Sequence, residues 1–277
     1  MNTKNFKGKA IYNPSGKAGE YSYWACNFYN GCSNDCQYCY CKRGVMSHVW
    51  SNKPQLKKCF KDERDALTIF EKELKQNVEE IRKHGLFFSF TTDPMLPETM
   101  NLTIQAIDVC MKHDVPVKVL TKMDFTDESR KSTMMQHFFP FMIKEEYKKK
   151  IAFFFTLTGH DELEPGASSN GERIAAMKIL HNSGFRIGAS IEPIIDLPHS
   201  INCIERTLGF CDLYKIGLLS GAKSSFSKEE LEQFVGRVCY KVSASGAKVY
   251  WKDSVKSFLG RDIVSAATVG RDYNMFK

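Results

Sequence analysis

Short apolar runs alternate along this chain with longer stretches whose apolar residues recur every third or fourth position. The runs cover residues 21–29, 86–90, 115–120, 151–157, 186–191, 213–218 and 248–251. They are too short for most helices and rich in β-branched and aromatic side chains, so each is expected to form a strand. Between them, residues 62–83 carry Leu67, Phe70, Leu74 and Ile81 at helical spacing, and a second helix carries Met100, Ile104, Ile107 and Met111. Ser169 with Glu172, and Ser227 with Glu230, form capping boxes. The first opens a helix that runs to Asn182 and stops at Gly184; the second opens one carrying Leu231, Phe234, Val235 and Val238. A polar helix over 128–149 is expected to break at Pro140.

Alternation of this kind makes the strands parallel and the helices crossovers. Six or seven units are present, too few for a plain eight-stranded barrel, and an open sheet and a partial barrel both fit. In either architecture the ligand site lies where the strands end. No Pro-, Gly- or Ser-rich linker divides the chain. Residues 1–277 are therefore read as a single domain: a lead-in over 1–20, a strand–helix core over 21–245 and a C-terminal extension over 246–277.

Composition narrows the function classes. With 277 residues and 43% hydrophobic content the chain can bury a large core. The formal net charge of +7 suits phosphate binding, and equally many small-molecule enzymes. The basic residues are scattered; the densest stretch, 144–150, is interrupted by Glu145 and Glu146 and reads as a solvated helix face. The first ten residues contain no apolar core of a signal peptide, and no window carries the ~20 apolar residues of a membrane helix. A cytoplasmic location is expected, with no membrane partner. Thiols there stay reduced, so closely spaced members of the ten cysteines point to metal or redox chemistry.

The stretch 30–41 reads NGCSNDCQYCYC. Cys32, Cys36 and Cys39 follow a C-x3-C-x2-C spacing, and three thiolates on one short loop can hold three corners of an iron–sulfur cubane while leaving the fourth iron open. The competing reading is a zinc-stabilised binding module without catalysis. Structural zinc takes four ligands, usually from two close pairs, and Cys36–Cys39 is the sole C-x2-C pair in the chain. Cys41 adds a fourth local thiol, open to roles as spare ligand, hydrogen donor or none.

The C-x3-C-x2-C pattern with Tyr38 before its last cysteine resembles the signature of the radical S-adenosylmethionine (SAM) superfamily. GCSNDCQYCY, with the lead-in 10–21, is similar to the spore photoproduct lyase-like branch found in mobile elements. The resemblance implies an α/β fold, a partial (β/α)6 TIM-like barrel. It further implies a [4Fe-4S] cluster on Cys32, Cys36 and Cys39, with SAM bound at the open iron. One electron would cleave SAM to a 5′-deoxyadenosyl radical that abstracts hydrogen from a substrate, with an electron donor such as flavodoxin or ferredoxin as partner.

The same resemblance, with the strand-end positions, nominates the cofactor-binding residues. Tyr38 would lie beside the adenine. Thr91, Thr92 and Asp93, in a stretch similar to T-D-P-x-x-P, would bind the ammonium of SAM, although Asp93 also suits a helix cap. Lys122, directly after a buried strand, would pair with the SAM carboxylate. Thr156 or Thr158 would touch the cofactor, and Arg173 would hold its carboxylate or pair with Glu164. Glu192 ends a strand at the same mouth. Glu98 receives no role.

The substrate is less constrained. Phe90 stands where true spore photoproduct lyases carry a hydrogen-donating cysteine, and phenylalanine cannot supply that atom. Tyr214 reads as core before radical relay. Cys203, Cys211 and Cys239 are too widely spaced for a second cluster. A nucleic acid or nucleotide substrate, and a peptide or small metabolite with a partner protein, both stay open.

Overall fold

The protein is described here by a computed structural model covering residues 5–43, 47–48, 50–126, 144–219 and 225–277. In chain order its strands are β1 (Ile11–Tyr12), β2 (Trp24–Cys26), β3 (Tyr29–Asn30), β4 (Gln55–Leu56), β5 (Leu86–Phe88), β6 (Val117–Thr121), β7 (Ile151–Thr156), β8 (Arg186–Ile194), β9 (Leu213–Leu218) and β10 (Lys248–Trp251). The helices are α1 (Glu63–Gln76), α2 (Val78–His84), α3 (Met100–Lys112), α4 (Glu145–Lys148), α5 (Asn170–Asn182), α6 (Leu197–Thr207), α7 (Lys228–Ser245) and α8 (Asp253–Leu259).

Eight strands form one sheet in the order β1-β2-β5-β6-β7-β8-β9-β10, and β3 pairs with β4 apart from it. From β2 to β10 every pairing in this sheet is parallel and each strand neighbours the next one of the same sheet in the chain. A doubly wound open sheet reverses its order at a switch point. This one never does, so its architecture is that of a barrel, left open between β2 and β10. At the open edges β1 runs antiparallel to β2, and Val249 of β10 exchanges backbone hydrogen bonds with Ala267 and Val269.

Period-two alternation divides the buried residues into two cores. On β7, Ile151, Phe153 and Phe155 join the large cluster beneath the helices. Their neighbours Ala152 and Phe154 point into the barrel, where they meet Leu213, Tyr250 and Met275. Met275 and Phe276 come from the C-terminal extension and close the end of the barrel where the strands begin. Gly188 makes room inside: a Cβ there would lie 2.2 Å from Cε1 of Phe154.

Several boundaries differ from those expected. The run 21–29 is split between two sheets, β2 and β3. The single helix expected over 62–83 is two, because Asn77 leaves the helical conformation (φ −125°) and its side-chain amide donates to the Glu73 carbonyl. Both capping boxes are formed. Of the helix expected over 128–149, α4 is present, while Pro140 lies outside the described residues.

Gly188→Ala is expected to destabilise the fold by about 1–3 kcal/mol through overpacking against Phe154. Denaturant unfolding will measure this, and a second substitution, Phe154→Leu, should restore part of the loss.

Candidate active site

The loop after β3 carries the cysteines. It is held by backbone geometry: Gly31 takes φ +86°, and a Cβ there would fall 2.5 Å from the Lys53 carbonyl oxygen. The Cys32 N–H donates to Ser51 O at 3.0 Å. On its far side the loop docks on the segment after β7. Gln37 N–H donates to Leu163 O (2.9 Å), Gly166 N–H donates to Asn34 O (3.1 Å), and a Cβ on Gly166 would lie 1.9 Å from Ser33 O.

The Asp93 carboxylate is the hub beneath this loop. Oδ1 accepts from Met95 N–H (2.9 Å) and the Thr121 hydroxyl (2.7 Å); Oδ2 accepts from the Asn34 side-chain amide (2.8 Å) and Lys122 N–H (2.7 Å). Buried and four-fold satisfied, Asp93 ties the cysteine loop to the ends of β5 and β6. It does not cap the next helix; Thr99 occupies that position. Thr91 donates its hydroxyl to Tyr29 O at 2.6 Å.

A second chain of contacts joins Tyr38 to α5. The Tyr38 hydroxyl donates to Glu164, whose other oxygen takes the guanidinium of Arg173. Arg173 is fully buried and spends its remaining donors on Ser168 O and Thr156 O. Of the two roles open to Arg173, the structure shows the ion pair with Glu164.

Glu192 is likewise engaged. Lys252 Nζ lies 2.8 and 2.7 Å from its two oxygens, and the Tyr21 hydroxyl donates to it at 2.5 Å. Gly217 makes this possible, since a Cβ there would meet both side chains at about 3.0 Å. Deeper in the barrel Lys215 donates to Glu20 O and Tyr21 O; burial, first, and the neighbouring Lys118 and Lys252 hold its pKa well below the usual lysine range. Lys118 donates to His84 O, and burial lowers its pKa to about 8.

Above these layers opens a cavity of 440 Å³ at the C-terminal ends of the strands. Cys32, Cys36, Cys39 and Cys41 line it, with Tyr38, Thr91, Thr92, Asp93, Lys122, Thr156 and Glu192. The structure thus brings the candidates to one wall system except Thr158, which is buried away from the cavity, and Arg173, which it places one residue behind the wall, through Thr156. Two buried polar atoms at the cavity, Asn34 Oδ1 and Thr92 Oγ1, have no hydrogen-bond partner. Among the described residues Lys122 Nζ makes no ion pair or hydrogen bond; it sits 5.6 Å from the centre of the Tyr38 ring. Burial opposes its charge, but Cys36, Glu164 and Asp93 outweigh that and raise its pKa. The cavity therefore presents a half-buried cation, Lys122, beside the hydroxyls and carboxylates of its wall, which suits a polar ligand carrying a carboxylate.

The thiols of the loop are a candidate metal-binding set. Burial pushes Cys32 up to about 12 and raises Cys36; a hydrogen bond with the Cys41 thiol, above all, lowers Cys39. A bound metal cation offsets such a burial cost by stabilising the thiolates. Among the described residues no three of the loop's sulfurs lie within 4.8 Å of one another. Tetrahedral zinc with bonds of about 2.3 Å needs sulfurs ~3.8 Å apart, whereas a cubane spreads its three thiolates over three irons.

No protein-family model and no curated protein matches this sequence. The likeness to known proteins lies in three dimensions. Spore photoproduct lyase complexed with dinucleoside spore photoproduct aligns with a TM-score of 0.60 at 15% identity, over 87% of this chain and 80% of that one. A cysteine-to-serine variant of the lyase gives 0.62 at 15%, over 90% and 80%. SuiB from Streptococcus suis, bound to S-adenosylmethionine, gives 0.52 at 11%, over 80% of this chain and 49% of SuiB. The fold is that of spore photoproduct lyase.

On this spore photoproduct lyase fold, Phe90 lies in the cavity wall, stacked on Phe87 with ring centres 4.4 Å apart. The buried Cys41 thiol reaches the Phe90 carbonyl oxygen at 3.6 Å. Tyr214 belongs to the outer core and shares a hydrogen bond with Thr207 at 2.9 Å. Glu98 is exposed on the surface. Sequence reasoning overlooked Asn34, Tyr21, Lys215 and Lys252. Lys215, a charge in the middle of an apolar strand, was a readable signal; Asn34 was not, because only its partner Asp93 distinguishes it from any loop asparagine.

Asp93→Asn turns one acceptor oxygen into a donor facing other donors. A loss of about 1.5–3 kcal/mol is expected from denaturant unfolding.

Proposed function

We propose that this chain is a radical SAM enzyme in which Cys32, Cys36 and Cys39 hold a [4Fe-4S] cluster and the cavity takes SAM. The observation that carries this reading is the cavity itself. A three-thiol loop, fastened to Asp93 through Asn34, borders a half-buried lysine, Lys122, in one cavity. When bound, cluster and SAM together supply one-electron reductive cleavage and hydrogen abstraction. Lys122 would face the carboxylate of SAM, and Tyr38, Thr92 and Thr156 would border the remainder. Asp93, Thr91, Arg173 and Glu192, whose polar groups are engaged within the protein, act as positioning residues. The rings of Tyr21, Phe90 and Tyr40 line the approach and keep water from the reacting atoms.

For the substrate, a nucleotide or nucleic acid fits best. Tyr40, Trp50 and Phe90 offer stacking surfaces at the mouth, and the chain carries a net charge of +7. The lyase neighbour is complexed with a dinucleoside. With Phe90 stacked where a donor thiol would be needed, the reaction differs from that of spore photoproduct lyase. A peptide substrate is the second reading, favoured by SuiB, a neighbour bound to the precursor peptide SuiA. The electron donor is of the flavodoxin or ferredoxin class, in a cytoplasmic setting.

Anaerobic reconstitution with iron and sulfide, followed by dithionite and SAM, should yield 5′-deoxyadenosine. Cys36→Ala should lose both iron and product. Lys122→Met should keep its iron but raise KM for SAM about 10–100-fold, the equivalent of one charge-assisted contact of about 1.5–3 kcal/mol. Wild-type protein that binds zinc with no iron chromophore would sink the enzyme reading. Filter binding of single-stranded oligonucleotides across a salt series tests the substrate class: affinity should fall steeply with salt, and its absence at low salt refutes a nucleic acid.

A further inference from the structure

His160, Asp196 and His199 converge at the rim of the barrel, outside the cysteine cavity, with one ligand atom from each all within 4.8 Å of one another. His160 follows β7, and Asp196 and His199 form the start of α6 after β8. His160 Nε2 lies 2.7 Å, and His199 Nδ1 2.8 Å, from the same carboxylate oxygen, Asp196 Oδ2. The other oxygen, Oδ1, accepts the His199 N–H at 2.8 Å as helix cap, which fixes the carboxylate with Oδ2 turned to the imidazoles.

We propose that these three side chains form a binding site for a divalent transition-metal ion, zinc foremost, separate from the cysteine loop. Two imidazoles and one carboxylate are a common zinc donor set, leaving a fourth position for solvent. Bonds of about 2.0–2.1 Å in tetrahedral geometry separate ligand atoms by about 3.3 Å. The two imidazole–carboxylate separations need to open by only about half an ångström to admit the ion, and the two imidazole nitrogens already lie within 4.8 Å of each other. A salt bridge needs one imidazole nitrogen on one oxygen; here two share it.

The surroundings have the form of a metal site as well. His160 Nδ1 lies 2.7 Å from Glu162 Oε1. A carboxylate on the far nitrogen keeps the proton there and leaves Nε2 as the ligand, the arrangement that tunes metal-bound histidines. Close approach of the two histidines is built into the backbone. Gly159 takes φ +77°, and a Cβ there would fall 2.7 Å from the His199 Cβ. The amides of Thr158 and Gly159 donate to the Asn170 side chain, which anchors that turn to α5.

Position gives the site its purpose. The segment 160–166 carries His160 and Glu162, and the same segment holds the cysteine loop through Leu163, Glu164 and Gly166. An ion on His160, Asp196 and His199 clamps this segment to α6 and so braces the wall on which the thiols rest.

The test uses the iron-reconstituted protein, incubated with zinc chloride, desalted and measured for both metals. Wild type should retain about one zinc per chain beside its iron. His160→Ala with His199→Ala should lose the zinc and keep the iron. Replacement of Cys32, Cys36 and Cys39 by Ala should do the reverse, so failure of the cluster reading is distinguishable from failure of this one. Glu162→Gln, an exposed substitution that leaves folding alone, should weaken zinc binding about 10–100-fold. Wild type that retains no zinc, or a double-histidine variant that retains as much as wild type, overturns the proposal.

Discussion

The Asp93 carboxylate accepts four hydrogen bonds from donors on the cysteine loop, on its own turn and at the end of β6. A buried charge is tolerable only when its lone pairs are satisfied, and each of these donors comes from a segment that must be in place for the others to meet it. The cysteine loop has no regular structure of its own beyond turns and one 3-10 turn of helix over Tyr40–Lys42. Its course is set by this carboxylate beneath, by Ser51 on one side and by the 163–166 segment on the other. The site is thus preorganised by polar contacts rather than by packing, which suits a loop that must expose its thiols.

The barrel interior makes the same bargain on a larger scale. Its lower end is plugged by Met275 and Phe276, with Lys118 beside them tied to His84 O, while the layers above hold Lys215, Lys252, Glu20 and Glu192. Lys252 and Glu192 pair directly, and Lys215 is satisfied by carbonyls and by the rings of Tyr21 and Tyr250. An eight-stranded barrel closes its interior by hydrogen bonding first strand to last. Here the gap between β2 and β10 is filled instead by residues 17–21 and the C-terminal extension, whose contacts with Lys252, Lys215 and Gly19 span it. An open barrel leaves a wider mouth, and the 440 Å³ cavity occupies it.

Much of this was legible in the residues. Every parallel strand of the barrel, both capping boxes and the three-cysteine loop follow from local pattern, because period-two apolar alternation, cap chemistry and ligand spacing are properties of neighbours in the chain. The split of 21–29 between two sheets and the break at Asn77 were not legible, since both depend on where distant segments pair. Within the site, residue identity marked Asp93, Lys122, Arg173 and Glu192 as chemical. It could not apportion contact and support among them. Arg173 is an anchor because Glu164 lies against it, and Asp93 is a hub because Asn34 and Thr121 reach it.

The sequence by itself determined that strands and helices alternate, that three thiols sit within eight residues of one another, and that polar side chains end the strands. The tertiary structure alone decided that the strands wind in one direction without reversal, that Lys122 has no hydrogen-bond or ion-pair partner among the described residues and lies over the Tyr38 ring at the cavity, and that His160 and His199 converge on one oxygen of Asp196. The reason is range. Propensity, capping and spacing act over a few bonds and are written in consecutive residues, whereas the saturation of a buried charge depends on groups that only the folded chain brings together.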